Sequence, residues 1–253
     1  MLATSHDEGT VVENTGSTIA LEVMYTRYHR SLFSRGVFQG IADWFWHHTV
    51  SQPKALRNRL KIVEDILEEK IAHETKQKGE KITVLSLGGG SSRALLHTIK
   101  KLYGGNTQPN NIKIMNIDKD ERALAIGKKL AEQLHCGAIF EWIKEDVKNL
   151  EMIIGKETID IVEMVGLLDY FEDEKATGLF QHIYNILKKD GLFIFANVYP
   201  NSEMPFVYHL GWPKMYYRIP RDLEKLTKNS GFQEEISILI EPLQVHMIAT
   251  IKK

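Results

Sequence analysis

Three consecutive glycines, Gly88-Gly89-Gly90, follow a short apolar run and precede a stretch of helical periodicity. Glycines at such a junction let the backbone turn sharply and approach a ligand with no side chain in the way. The helix that follows offers that ligand free backbone N–H groups. Ligands of open α/β sheets bind at the carboxyl ends of strands, where this loop falls, although an ordinary strand-to-helix turn has the same glycines. The next apolar run ends at Asp118, followed by Lys119 and Asp120. A carboxylate there can accept hydrogen bonds from both hydroxyls of a ribose. It can also cap the next helix, but Asp120 is placed to do that instead. For proton transfer the first candidate is His209, because a histidine titrates near neutral pH. Tyr170 is the second, and its other reading is an anchor for its own loop.

The elements that must position these residues follow from periodicity. Residues 1–17 are polar and acidic and read as a disordered tail. From 18 to about 77 the pattern is helical: Pro53 suits a first turn, and Leu56, Leu60, Val63, Leu67 and Ile71 share one face. The preceding segment, 36–50, concentrates Phe38, Ile41, Trp44, Phe45 and Trp46, and reads as a core-facing helix or the lining of a substrate pocket. After Lys81 strands and helices alternate. Strands are expected at 82–87, 112–117, 138–143, 159–165 and 192–198, and helices at 92–103, 120–134 and 174–187. A polar loop is expected at 104–111 and a turn at 189–191. Alternation of this kind predicts a mostly parallel sheet covered by helices. Two alternating runs, 235–240 and 245–251, are separated by Glu241-Pro242-Leu243-Gln244, which suits a hairpin and an antiparallel last strand.

Composition narrows the class. The chain has 253 residues, 43% of them hydrophobic, enough for one large domain with a cap. With 32 basic against 33 acidic side chains there is no global charge for phosphate neutralisation, so no nucleic-acid partner is expected. Cys136 is the lone cysteine, which excludes an internal disulfide and a thiolate metal cluster; no metal is expected, and the compartment reads as cytoplasmic. No run has transmembrane length, and the start lacks signal-peptide character. The aromatics around Trp44 and Trp46 are candidates for a homodimer contact.

From about Lys81 to the C-terminus the chain resembles the class I S-adenosylmethionine-dependent methyltransferases. The resemblance rests on Gly88-Gly89-Gly90, Asp118, Glu145-Asp146-Val147 and the run Glu163-Met164-Val165-Gly166-Leu167-Leu168-Asp169-Tyr170-Phe171, in that order on successive elements. It implies an α/β, Rossmann-like, mostly parallel seven-stranded sheet with an antiparallel C-terminal hairpin strand. The fold would carry an N-terminal helical cap over 18–80 and the catalytic domain over 81–253. It further implies S-adenosylmethionine as cofactor, bound by Ser86, Gly88, Gly89, Gly90, Asp118, Lys119, Asp146, Val147 and Met164. In the family an acid stands where this chain has Ser86, and a third glycine where it has Ser92. The family's base-amine methylases carry Asp/Asn-Pro-Pro-Tyr/Phe after the fourth strand; this chain does not.

Asn197, Pro200, Trp212 and Tyr217-Arg218 look like a pattern in bacterial methyltransferases that form 3-hydroxy fatty acid methyl esters. That likeness implies a small-molecule or lipid-like acceptor methylated on a hydroxyl or a carboxylate. The acceptor site would lie between residues 197–218 and Tyr25, Tyr28, His29 and Arg30. Rival readings are a dinucleotide dehydrogenase, disfavoured by Arg93 at the sixth position of the glycine fingerprint, an aminopropyltransferase using decarboxylated S-adenosylmethionine, and a non-catalytic cofactor-binding scaffold. A polycationic acceptor would be repelled by Arg93.

Overall fold

The computed structural model describes residues 5–29, 36–77, 81–104 and 109–253. Seven strands form one sheet: β1 (Ile82–Leu87), β2 (Ile112–Asp118), β3 (Phe140–Lys144), β4 (Ile159–Met164), β5 (Leu187–Val198), β6 (Ser237–Ile240) and β7 (His246–Lys252). Their order is β3-β2-β1-β4-β5-β7-β6; β7 pairs antiparallel with both β5 and β6, and the other pairs are parallel. β1 and β4 are central and covered on both faces, so they are buried almost continuously rather than at alternate residues. The expected sheet, with its reversed last strand, is the one that forms.

Helices cover both faces. On one, α8 (Asp173–Ile186) and α10 (Pro220–Asn229) bury Phe180, Ile183 and Leu223 against Phe193, Phe195 and Phe232. On the other, α5 (Arg93–Tyr103) packs Leu95, Leu96 and Ile99 against Val84, Ile114 and Ile194. Val63, Leu67 and Ile71 of α4 (Ser51–Gln77) enter that same cluster. The second half of α4 is therefore part of the sheet domain, and the boundary expected near residue 80 falls inside this helix. Helix α6 (Glu121–Gln133) follows β2, and the short α7 (Leu150–Ile153) follows β3.

The cap is larger than expected. Residues assigned to a disordered tail instead form α1 (His6–Glu13), whose Val11 is buried with Val23 and Met24 of α2 (Thr18–Thr26) and Trp46 of α3 (Val37–His48). Polar side chains organise it, which is why hydropathy alone hid the helix. Ser5 caps α1 through the Glu8 N–H, and Asp43 accepts from Ser5 Oγ at 2.9 Å. Buried Asp7 accepts from Arg27 Nη1 at 2.8 Å and lies 3.1 Å from His47 Nε2. Burial alone would raise its pKa, but these hydrogen bonds outweigh it and hold the carboxyl down to about 2.

Helix α3 does not turn all its aromatics inward. Trp46 is 1% exposed, whereas Phe38 is 90% and Trp44 is 49% exposed. Trp46 is thereby removed from any subunit contact. The segment after β5 carries α9 (Met204–His209) back onto the cap, where Phe206, Leu210 and Trp212 pack against its core. Strand β5 starts at Leu187, earlier than expected. The anticipated turn survives within it as a left-handed Asp190, φ 62°, beside a register shift between Ile159 and Ile161. No helix among the described residues is long and apolar enough to cross a membrane.

Candidate active site

The loop after β1 lies on a polar row that crosses three strands. Asn116 of β2, Ser86 of β1 and Glu163 of β4 are aligned in register, so their side chains emerge on one face. Gly89 rests directly on this row: a Cβ there would lie 2.0 Å from Ser86 Oγ and 2.4 Å from Asn116 Oδ1. Gly90, at φ 55°, donates its N–H to Asp118 Oδ2 at 2.8 Å, and its carbonyl accepts from Asn116 Nδ2 at 3.0 Å. Asp118 Oδ1 accepts from the Asp120 N–H at 2.8 Å, while Asp120 caps α6 through the Arg122 N–H. Asp118 is thus a loop-fixing carboxylate at the edge of the cavity rather than the helix cap.

The cap closes the loop from above. Glu22 of α2 accepts from Ser91 Oγ at 2.8 Å and from Arg93 Nε at 3.1 Å, with a further contact to Arg93 Nη2. A Cβ on Gly90 would lie 2.5 Å from Thr18 Oγ1. Between loop and cap is a cavity of about 740 Å³. Gly88, Gly89, Gly90, Asp118, Lys119, Asp146 and Val147 all line it, as does Tyr170. Asp146 also caps a short 3₁₀ turn by accepting the Lys148 N–H at 3.0 Å. Ser86 and Met164 are wholly buried behind the wall and do not line the cavity.

The proton-transfer candidates separate. His209 is exposed on α9 and does not line the cavity, so the structure does not support it as a base there. Tyr170 lines the cavity and accepts from Trp212 Nε1 at 3.0 Å. Burial and the neighbouring Asp169 carboxylate push its hydroxyl up to about 12, so it keeps its proton near neutral pH and does not supply a phenolate base. Of the expected acceptor region, Tyr25, Trp212, Pro213 and Met215 line the cavity, whereas Tyr28 and His29 do not. Asn197 and Arg218 are structural: Arg218 donates to Asn197 Oδ1, the Phe171 carbonyl and Asp173. Arg30 lies outside the described residues.

Sequence reading missed three cavity residues that the fold brings together. Arg59 of α4 is buried, donates to the Tyr25 hydroxyl at 3.2 Å and has an unpartnered Nε. His246, at the start of β7, is 3% exposed, with neither ring nitrogen bonded. Burial and the Arg59 charge hold its pKa well below the usual histidine value, so the ring is neutral. Glu163 accepts from Ser86 Oγ at 2.5 Å, and burial pushes its carboxyl up to about 7 although Ser86 and the Arg59 charge both oppose that. Faint signals existed. Arg59 interrupts the apolar face shared by Leu56, Leu60 and Val63, and Glu163 sits in a wholly buried strand.

Strand order and a glycine loop at the topological switch between β1 and β4 define the fold of the class I methyltransferases. Residues 84–191 match the family model described as a methyltransferase domain. Residues 84–191 are accordingly a methyltransferase domain, set in a chain with the Rossmann-like methyltransferase fold. No curated protein matches it in sequence.

Solved structures resemble it at low identity. A possible exported protein from Bordetella parapertussis superposes with a TM-score of 0.72 at 15% identity, covering 92% of this chain and 79% of that one. Magnesium protoporphyrin IX methyltransferase from Synechocystis, with bound S-adenosylhomocysteine, gives 0.63 at 13%, covering 98% and 99%. A putative O-methyltransferase from Nostoc punctiforme gives 0.60 at 16%, covering 83% of this chain and 60% of that one. The cavity fits S-adenosylmethionine on its own terms: a side-chain-free approach at Gly89, the carboxylates Asp118 and Asp146 at its edge, and a buried carboxyl and guanidinium at Glu163 and Arg59.

Proposed function

We propose that the chain methylates an oxygen of an apolar small-molecule or lipid-like acceptor. When bound, S-adenosylmethionine supplies an electrophilic methyl group on sulfur. Positioning the acceptor and, for a hydroxyl, taking its proton fall to the protein. Leu21, Met24, Trp46 and Leu56 from the cap, with Val207 and Trp212 from the segment after β5, give the cavity an apolar roof. Such a roof suits an apolar body, and the few polar groups beneath it orient the reacting end.

His246 is the observation that carries the hydroxyl reading. A buried, neutral imidazole with both nitrogens unpartnered is free to accept a proton from an acceptor hydroxyl. A carboxylate acceptor is already ionised and would need no such group. Arg93, engaged by Glu22, no longer argues strongly against a polycation. Arg59 does favour a cofactor with a carboxylate over its decarboxylated form.

The test is incubation of the purified chain with S-adenosylmethionine and a panel of apolar alcohols, phenols and fatty acids. An alkali-stable methyl ether supports the hydroxyl reading; an alkali-labile ester moves the assignment to a carboxylate. Tight cofactor binding without methylation of any oxygen acceptor in the panel would overturn the reading.

A further inference from the structure

The family's acid before the glycine loop is replaced here by Ser86, which leaves the cofactor's ammonium without its usual partner on β1. Resting on the S-adenosylmethionine reading above, we infer that the acid is supplied one strand over: Glu163 of β4 takes the ammonium of the methionine tail, and Arg59 of α4 takes its carboxylate.

The geometry is that of a displaced carboxylate. Ser86 and Glu163 are register partners on adjacent parallel strands. Ser86 does not line the cavity, but it donates to Glu163 Oε2 at 2.5 Å, and Glu163 does line it. The serine therefore orients the acid that stands in for it. Arg59 lies against the turn that follows β4, where a Cβ on Gly166 would be 3.6 Å from its Nη2. A buried carboxyl and a buried guanidinium thus face one cavity without forming a contact ion pair with each other. Ionising a buried carboxyl is costly unless an opposite charge meets it, and a ligand with an ammonium and a carboxylate supplies a partner for each group. An α-amino acid zwitterion has the complementary pair.

The proton inventory follows. The groups facing Glu163 are Ser86 from β1 and Arg59 from α4; Asp169, Tyr25, Tyr170 and His246 surround Arg59. Without ligand, burial keeps Glu163 largely protonated below pH 7. Pairing with an ammonium requires the carboxylate, so binding expels that proton to solvent. His246 stays neutral throughout this range and does not contribute.

Calorimetry on the full chain tests this with two probes, S-adenosylhomocysteine and 5′-methylthioadenosine, which lacks the amino-acid tail. At pH 6.5, heats in buffers of different ionisation enthalpy should show net proton release with the first probe and none with the second. Affinity for S-adenosylhomocysteine should rise up to about tenfold per pH unit below 7 and level off above it. Glu163→Gln and Arg59→Met should each weaken S-adenosylhomocysteine about 10- to 100-fold and leave 5′-methylthioadenosine unchanged. Equal losses for both probes, or no proton release by the wild-type chain, would overturn the inference. The second criterion decides even where a variant fails to fold. Failure of the wild-type chain to bind either probe would instead overturn the cofactor reading on which this one rests.

Discussion

Ser86 Oγ and Glu163 Oε2 lie 2.5 Å apart, across two adjacent strands and at aligned positions in the centre of the sheet. The carboxyl is buried and its pKa is pushed up to about 7, from an ordinary value of 4.5. The folded chain consequently binds more protons than the unfolded one between those values. Stability of the ligand-free protein should fall as pH rises through that window, by at most on the order of 3 kcal/mol, and level off above pH 7. Urea denaturation at pH 5, 6, 7 and 8 checks this, with Glu163→Gln expected to lose the slope. An identical slope in the variant would assign it to other groups.

Gly89 has no room for a side chain, because a Cβ would sit 2.0 Å from Ser86 Oγ and 2.4 Å from Asn116 Oδ1. Gly89→Ala should destabilise the fold by about 1–3 kcal/mol through overpacking and displace the loop. Thermal unfolding together with S-adenosylhomocysteine titration would show both losses; wild-type behaviour in both would mean the row beneath the loop yields.

Asp118 holds the Gly90 and Asp120 N–H groups with its two oxygens. Asp118→Ala should weaken S-adenosylhomocysteine by about 1–3 kcal/mol, through loss of the carboxylate and relaxation of the loop. Helix α6 should persist because Asp120 caps it. Calorimetry and circular dichroism separate the two; unchanged affinity would reduce Asp118 to a scaffold residue.

His246→Asn should lower kcat with a hydroxyl acceptor about 100-fold or more, and leave the Kd for S-adenosylhomocysteine near wild type. A variant with undiminished kcat would remove the imidazole from proton transfer.

Asp7 stabilises the cap through His47 and Arg27, with its carboxyl held down to about 2 against an ordinary 3.8. A depressed carboxyl contributes stability that is complete above pH 4 and is lost as pH falls through 2. Asp7→Asn should lower the unfolding temperature at pH 5 and above, and the gap from wild type should close toward pH 2. A gap independent of pH would show that packing, not ionisation, is at stake.

Much of the sheet was legible because its signals are local. The apolar runs ending at Leu87, Ile117 and Met164, the glycine triplet and the spacing of the last two strands each report on a few neighbouring residues, and backbone geometry reads those directly. Of the residues that line the cavity, Gly88 and Asp118 followed from the same local grammar, and Asp146 from the family resemblance. Helix α1 was not legible, since Ser5, Asp7 and Asp43 hold it through buried polar contacts that a hydropathy pattern scores as solvent.

The proposed base and the buried ionisable floor beneath it came only with the tertiary structure. Arg59, Glu163 and His246 come from a cap helix and two different strands, and their meeting depends on strand register and on how α4 lies across the sheet. His209 carries an equally suitable imidazole, but its position on exposed α9 keeps it away from the cavity. The sequence by itself determined the class of fold and the place of the cofactor loop. Which side chains lose water and face one another was settled by packing, because burial and neighbouring charge are properties of the assembled chain.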